Sequence, residues 1–163
     1  MIDPNWFHHA PGIHGVSHTQ RVLTHARAIA EQVELTPLER QAVLQAAAWH
    51  DIGRTHDGRD WTHGMKSVTK VLDLRLHERH ERELLDLAFF AMEYHAMWDH
   101  VGERRAILRA DSVVALRVLR VLKDADGLDR VRLGPRGLDP EQLRFECSRG
   151  MVERAWELYR ELP

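Results

Sequence analysis

Apolar residues recur at three- and four-residue spacing through most of the chain, and nowhere do they alternate with polar ones long enough to suggest a strand. Residues 1 to 16 hold Pro4, Pro11, Gly12 and Gly15 among His8, His9 and His14, and read as an irregular lead-in. Ser17 is the expected cap of a first long helix, whose inner face is Val22, Ala26, Ile29, Ala30 and Val33. Thr36-Pro37-Leu38-Glu39 announces a second, with a capping Thr, Pro at the first helical position and Glu at the third. Its inner face runs through Val43, Ala46 and Ala47 to His50, and Gly53 reads as its stop.

A polar loop over residues 54–62 follows, and Thr62 is the expected cap of a third helix that begins at His63-Gly64 and turns Val68, Val71 and Leu72 inward. The charged run Arg75 to Glu83 reads as a turn and a solvated first turn. The fourth helix buries Leu84, Leu85, Ala88, Ala91 and Met92. A break is expected near Asp99 to Gly102. The most apolar segment, 111–126, carries Ala115, Val118, Leu119 and Leu122, and Gly134, Pro135, Gly137 and Pro140 mark a loop before a last helix over about 148–162. The expectation is an all-α fold: one domain over residues 1–163, a compact irregular bundle of six or seven helices.

Several of these apolar stripes end in a polar residue. His18 lies four residues before Val22 on the same face, His50 continues the second stripe with Asp51 beside it, His95 continues the fourth, and Asp126 ends the apolar segment 111–126. Taken singly, a His on an apolar face is most often a core histidine with a local partner. Four helices that each turn an imidazole or carboxylate inward are different, because such groups cost several kcal/mol if buried unpaired. A shared cation removes that cost, and mixed His and Asp ligands suit Mn, Fe, Zn, Co or Mg without distinguishing them. A second His-Asp pair, His56-Asp57, sits among Thr, Gly and Arg and reads as loop.

Composition narrows the function classes. The 12 His are about three times the everyday frequency. A net charge of −2 argues against a nucleic-acid polymer as partner through overall charge. Only Lys66, Lys70 and Lys123 among the 23 basic residues are lysines, so no single Arg marks a phosphate site by itself. The lone Cys147 excludes an intramolecular disulfide and a multi-cysteine metal site. No signal-peptide pattern or membrane span is read, and a cytoplasmic location with no membrane partner is expected.

The order His18, His50-Asp51, Asp126 resembles the HD-domain superfamily of metal-dependent phosphohydrolases. Three segments carry the likeness: Gly15-Val16-Ser17-His18-Thr19-Gln20-Arg21-Val22, His50-Asp51-Ile52-Gly53-Arg54, and Lys123-Asp124-Ala125-Asp126-Gly127-Leu128-Asp129. Together they span about residues 14 to 130, with the last helix packing on that core. The Ala-Asp phrasing favours Asp126 over Asp124 as ligand, and His14 is a weaker alternative to His18. His63, before Gly64, and His95, after Glu93-Tyr94, look like the additional histidines of two-metal members, with His100 a weak rival to His95.

The resemblance implies that His18, His50, Asp51 and Asp126 hold one metal, and that Asp51 bridges to a second held by His63 and His95. The competing reading has one metal, with His63 and His95 in other roles. The implied activity is hydrolysis of a phosphate ester or anhydride of a small metabolite, a nucleotide being the favoured class, by metal-activated water. Arg54 is the first candidate for a phosphate contact, with Arg21 and Arg59 behind it, and Asp57 or Glu93 for acid–base work. Trp49, Trp61 and Trp98 lie near the centre in sequence, as core, as rim, or as surfaces for a base. The Gly-Tyr-Pro signature of cyclic-dinucleotide phosphodiesterases is absent, as is the long extension of alarmone hydrolase-synthetases. A di-iron oxygenase and a non-catalytic nucleotide-binding module are the alternatives.

Overall fold

In the computed structural model, which describes residues 2–9 and 12–163, the described chain folds into eight α-helices and four short 3-10 turns with no strand. The helices are α1 (Val16–Gln32), α2 (Pro37–Trp49), α3 (His63–Asp73), α4 (Arg82–Tyr94), α5 (Asp99–Ala106), α6 (Ser112–Leu128), α7 (Glu146–Arg149) and α8 (Val152–Glu161). Pro11, part of the irregular lead-in, lies outside the described residues.

The core forms where α2 packs against α1, α4 and α6, with α1 and α4 also lying on α6. Val22, Ala26 and Ile29 of α1 meet Val43, Ala46 and Ala47 of α2, and Leu87, Ala88 and Ala91 of α4 close on Val118, Leu119 and Leu122 of α6, all of them buried. The many alanines let helix axes approach closely, and the small contact faces bring the ends of several helices to one place. The capping box of α2 is formed as the sequence indicates: Glu39 N–H donates to Thr36 Oγ1 at 3.3 Å and Thr36 N–H to Glu39 Oε2 at 2.8 Å.

Several sequence expectations are corrected. α1 starts one residue before Ser17, with Gly15 in the cap position and no side-chain cap, because Thr19 N–H already bonds Gly15 O and places Ser17 inside the first turn. Gly53 does not stop α2, which ends at Trp49. Its lack of a side chain serves proximity, since a Cβ there would lie 2.2 Å from Ser67 N on α3. Thr62 occupies the cap position of α3 but turns its hydroxyl to Asp60. The buried stripe of α3 is His63, Gly64, Ser67 and Val71, whereas Leu72 is exposed. The expected break at Asp99 to Gly102 is the start of α5, whose Gly102 lets Leu119 lie against the helix. The last helix is two, α7 and α8, separated at Gly150-Met151.

His25 of α1 is 1% exposed and its Nε2 has no hydrogen-bond partner among the described residues. Burial pushes the ring down to about 4, so the folded protein holds it neutral while the unfolded chain takes up a proton near 6.5. The unfolded state therefore gains protons first on acidification. This contribution to stability is intact above about 6.5 and falls by about 3 kcal/mol as pH drops to about 4. Urea midpoints at pH 7.5 and 5, taken in chelator, should separate for the wild type and converge in His25→Leu. An unchanged pH gap in the variant rules the effect out.

Candidate metal centre

The helix ends collect the chemistry. His18 sits in the first turn of α1, His50 caps the C-terminus of α2 with Asp51 next, His63 opens α3, His95 caps α4, and Asp126 lies in the last turn of α6. Three of these are helix C-termini, where backbone carbonyls concentrate negative partial charge and favour a cation. His18, His50, Asp51, His63 and His95 are all at least 94% buried. Asp126 is the most open, with 31% of its side chain exposed.

Among the described residues two groups of three donors could each hold a metal: His18, His50 and Asp51, and Asp51, His63 and His95. Asp51 belongs to both, one oxygen to each. Its Oδ2 lies 3.3 Å from His18 Nε2 and 3.7 Å from His50 Nε2, and its Oδ1 lies 3.0 Å from His63 Nε2 and 3.9 Å from His95 Nε2. Asp126 Oδ1 is 3.5 Å from His18 Nε2. The rings pair through the same atom, His18 and His50 Nε2 at 3.1 Å and His63 and His95 Nε2 at 2.8 Å.

The tautomers follow from the opposite side of each ring. Nδ1 of His50 meets Ala47 O at 2.8 Å, Nδ1 of His95 meets Met92 O at 2.7 Å, Nδ1 of His63 meets Asp60 O, and Nδ1 of His18 meets Asp129 Oδ2 at 2.7 Å. Each of those partners only accepts, so Nδ1 carries the hydrogen in every ring and Nε2 of the neutral imidazole is a lone pair. Four lone pairs and two carboxylates therefore converge with no donor of their own. Beyond Arg54 Nε, which donates to Asp51 Oδ1, the two carboxylates and four lone pairs call for further positive charge, protons or metal cations, and the donor set fits a divalent metal.

The titration behaviour agrees. Burial opposes charge on Asp51, but His50, His18 and His63 hold its carboxyl well below the usual range. Burial likewise opposes ionisation of Asp126, and His18, His50 and Arg132 outweigh it, keeping that group low. Burial and Arg132 disfavour a charge on His18, yet Asp129 and Asp51 raise it above its ordinary value. Burial lowers His50 and His95. A proton on His18 is thus the metal-free counterpart of a cation at that position.

The alternatives separate in space. Asp124 accepts from the backbone N–H groups of Arg144 and Phe145 and from the Arg144 guanidinium, so it anchors the segment before α7. His14 lies beside His18, ring centres 5.7 Å apart, but its Nδ1 bonds Asp57 Oδ1 at 2.9 Å and it belongs to neither donor group. His100 is exposed on α5. Arg54 bonds Asp51 Oδ1 at 3.0 Å and Gly58 O at 3.2 Å, and lines a small cleft with Asp51, His14 and Asp57. Asp57, its side chain half exposed, lines the same cleft and holds His14 there. Burial raises Glu93 above the ordinary carboxyl value, with Arg109 opposing, and Glu93 belongs to neither donor group.

Arg21, read as a secondary phosphate contact, is corrected. It is 3% exposed, bonds Asp129 through Nε at 2.5 Å and Nη2 at 3.0 Å and Leu162 O through Nη1, and stacks on Tyr159. Its partner Asp129 was not singled out by the sequence. This fully buried carboxylate orients His18 and pairs Arg21, a layer of support behind a ligand rather than a ligand. The available signal was its position three residues, one helical turn, after Asp126.

Residues 15–131 match the family model described as HD domain. Comparison with curated proteins and with solved structures gave no match.

Proposed function

Because the chain belongs to the HD-domain family, a superfamily of metal-dependent phosphohydrolase type, we propose that it hydrolyses a phosphate ester or anhydride of a small metabolite, a nucleotide being the expected class. The observation that carries this reading is the convergence of four buried Nε2 lone pairs on the two oxygens of Asp51. His18, His50, Asp51 and Asp126 would hold one divalent cation, and Asp51, His63 and His95 a second. Such a centre supplies Lewis acidity that makes hydroxide accessible near neutral pH and polarises a phosphoryl oxygen.

The chain's own groups do the rest. Arg54, already at Asp51 Oδ1, places a guanidinium in the cleft where phosphate charge would be met, and its planar fork suits a phosphoryl group. Asp57 fixes the His14 ring at the same cleft, so protons exchanged there pass through that pair. The backbone carbonyls of Ala47, Asp60 and Met92 keep three ligand rings in the tautomer a metal needs.

Elemental analysis of the purified protein and phosphate release from a panel of nucleotides and sugar phosphates test the proposal. Up to two divalent ions per chain are expected, with turnover that disappears on chelation and returns with metal. Turnover that survives exhaustive chelation overturns it, as does absence of any phosphate release with Mn, Fe, Zn, Co or Mg. Iron with oxygen consumption and no phosphate release would instead mark an oxygenase.

A further inference from the structure

Two tryptophans that stand close in sequence to His63 and His95 are unexpectedly open. Trp61 is 41% and Trp98 66% exposed, yet their rings sit together, centres 5.8 Å apart and 32° from parallel. The Arg59 guanidinium lies 5.2 Å from the Trp61 ring centre and makes no ion pair among the described residues. A single exposed aromatic needs no explanation, but an adjacent pair backed by a cation is a recognition surface.

The pair is tied to the centre on both sides. Trp61 is two residues before His63 and Trp98 three after His95, the two rings whose Nε2 atoms meet at 2.8 Å. The loop bearing Trp61 begins at Arg54 and ends at His63, and both of those residues lie 3.0 Å from the same oxygen, Asp51 Oδ1. The cleft guanidinium proposed to meet phosphate and Trp61 therefore stand towards the two ends of one short loop, with Trp98 set against Trp61.

Both supports are fastened. Asp60 accepts from Thr62 N–H and Oγ1 and from Lys66 Nζ, and its carbonyl accepts from His63. On the other side Lys123, itself only 6% exposed, donates to Met97 O and Asp99 Oδ1, both at 2.6 Å, so that a buried lysine clamps the two residues flanking Trp98. Lys123 is one turn from Asp126 on α6, which references the clamp to the ligands. Rigid holding of exposed rings lowers the cost of ordering a ligand against them and is not needed for rings that merely face solvent.

We propose that Trp61 and Trp98, with Arg59, form the subsite that receives the planar ring of the substrate, so that the chain prefers phosphates whose organic part carries a nucleobase over otherwise identical sugar phosphates. The inference rests on the phosphohydrolase reading for the phosphate end and on the tryptophan geometry for the ring end. Recognition by ring faces is tolerant, because every base offers a π-face, and the preference extends across purines and pyrimidines within a few-fold.

AMP and ribose 5-phosphate share sugar and phosphate and differ by the ring. In the metal-loaded protein, AMP should quench tryptophan fluorescence saturably while ribose 5-phosphate does not, and the quench should weaken about tenfold in affinity in Trp98→Ala and recover in Trp98→Phe. The ratio of kcat/KM for AMP over ribose 5-phosphate should fall about tenfold in the same Ala variant. Equal responses to the two ligands in the wild type, or a ratio unmoved by Trp98→Ala, overturn the subsite. Specific capture of a macromolecule at this face with no AMP quench also overturns it. Quenching without turnover of any phosphate leaves the subsite standing and removes the hydrolase reading, so the two fail separately.

Discussion

Asp51→Asn is expected to leave a folded protein that has lost both its metal and its turnover. Among the described residues Asp51 alone is common to both donor groups, and each of its oxygens faces a different pair of imidazoles. A carboxamide keeps the shape but offers one acceptor and no charge, so the second group is left with two histidines and no carboxylate, and the first keeps only His18, His50 and the more open Asp126 beside a neutral amide. Loss of the charge stabilisation a metal gives a phosphoryl group is worth several kcal/mol, on the order of a 10³-fold fall in phosphate release. Metal content should drop from as many as two ions per chain to below one. The circular dichroism spectrum should match that of the metal-free wild type, because the backbone around Asp51 is held by its helix ends and by the Ser67 hydroxyl bonds to Gly53 N–H and His50 O. Retained metal with retained turnover would remove Asp51 from the centre.

The largest effect on stability belongs to Asp129. Its carboxylate is fully buried, takes two bonds from Arg21 and one from His18, and has Arg132 3.5 Å away. Asp129→Ala leaves the Arg21 guanidinium buried without its counter-charge, which costs about 3–5 kcal/mol. For a chain of this length that is a fall in Tm on the order of 10 °C. Burial opposes ionisation of Asp129, and His18 and Arg21 override it, so the folded pKa lies below the unfolded one. The contribution is therefore constant at neutral pH and fades only as pH drops below about 4. Asp129 also fixes the Nδ1 hydrogen of His18, so metal affinity in the gentler Asp129→Asn variant should fall about 10- to 100-fold in a chelator competition. Unchanged affinity in that variant would restrict Asp129 to a packing role.

What was legible in the sequence was whatever depends on one helix at a time. The Thr36 capping box and the apolar faces of α1, α2, α4 and α6 are local patterns, and their polar ends name the residues the fold brings together. Family likeness then supplied the order in which to read them, and the match over residues 15–131 agrees. What was not legible depends on approach between elements. Gly53 reads as a helix stop, but its role is set by how near α3 comes. α5 carries a mean face too polar for its pattern to show, with Gly102 and Ala106 its only buried residues. Arg21 and Asp129 are unremarkable in sequence because their pairing spans 108 residues and exists only after α1 meets the turn that follows α6.

The ligand positions along the chain also order how the centre can be assembled. His18 and His50 are 32 residues apart, as are His63 and His95, whereas His18 finds Asp129 across 111 residues. Closing the longer loop costs about 1 kcal/mol more in chain entropy, and it does so before any of the long-range packing is gained. The two histidine pairs that flank Asp51 therefore both close over short loops, ahead of the contacts with the end of the sixth helix and the turn after it. The contacts of His18 with Asp126 and Asp129 are completed only when the first helix has docked on the sixth and on the turn after it, so the setting of that one ring reports whether the whole bundle has closed.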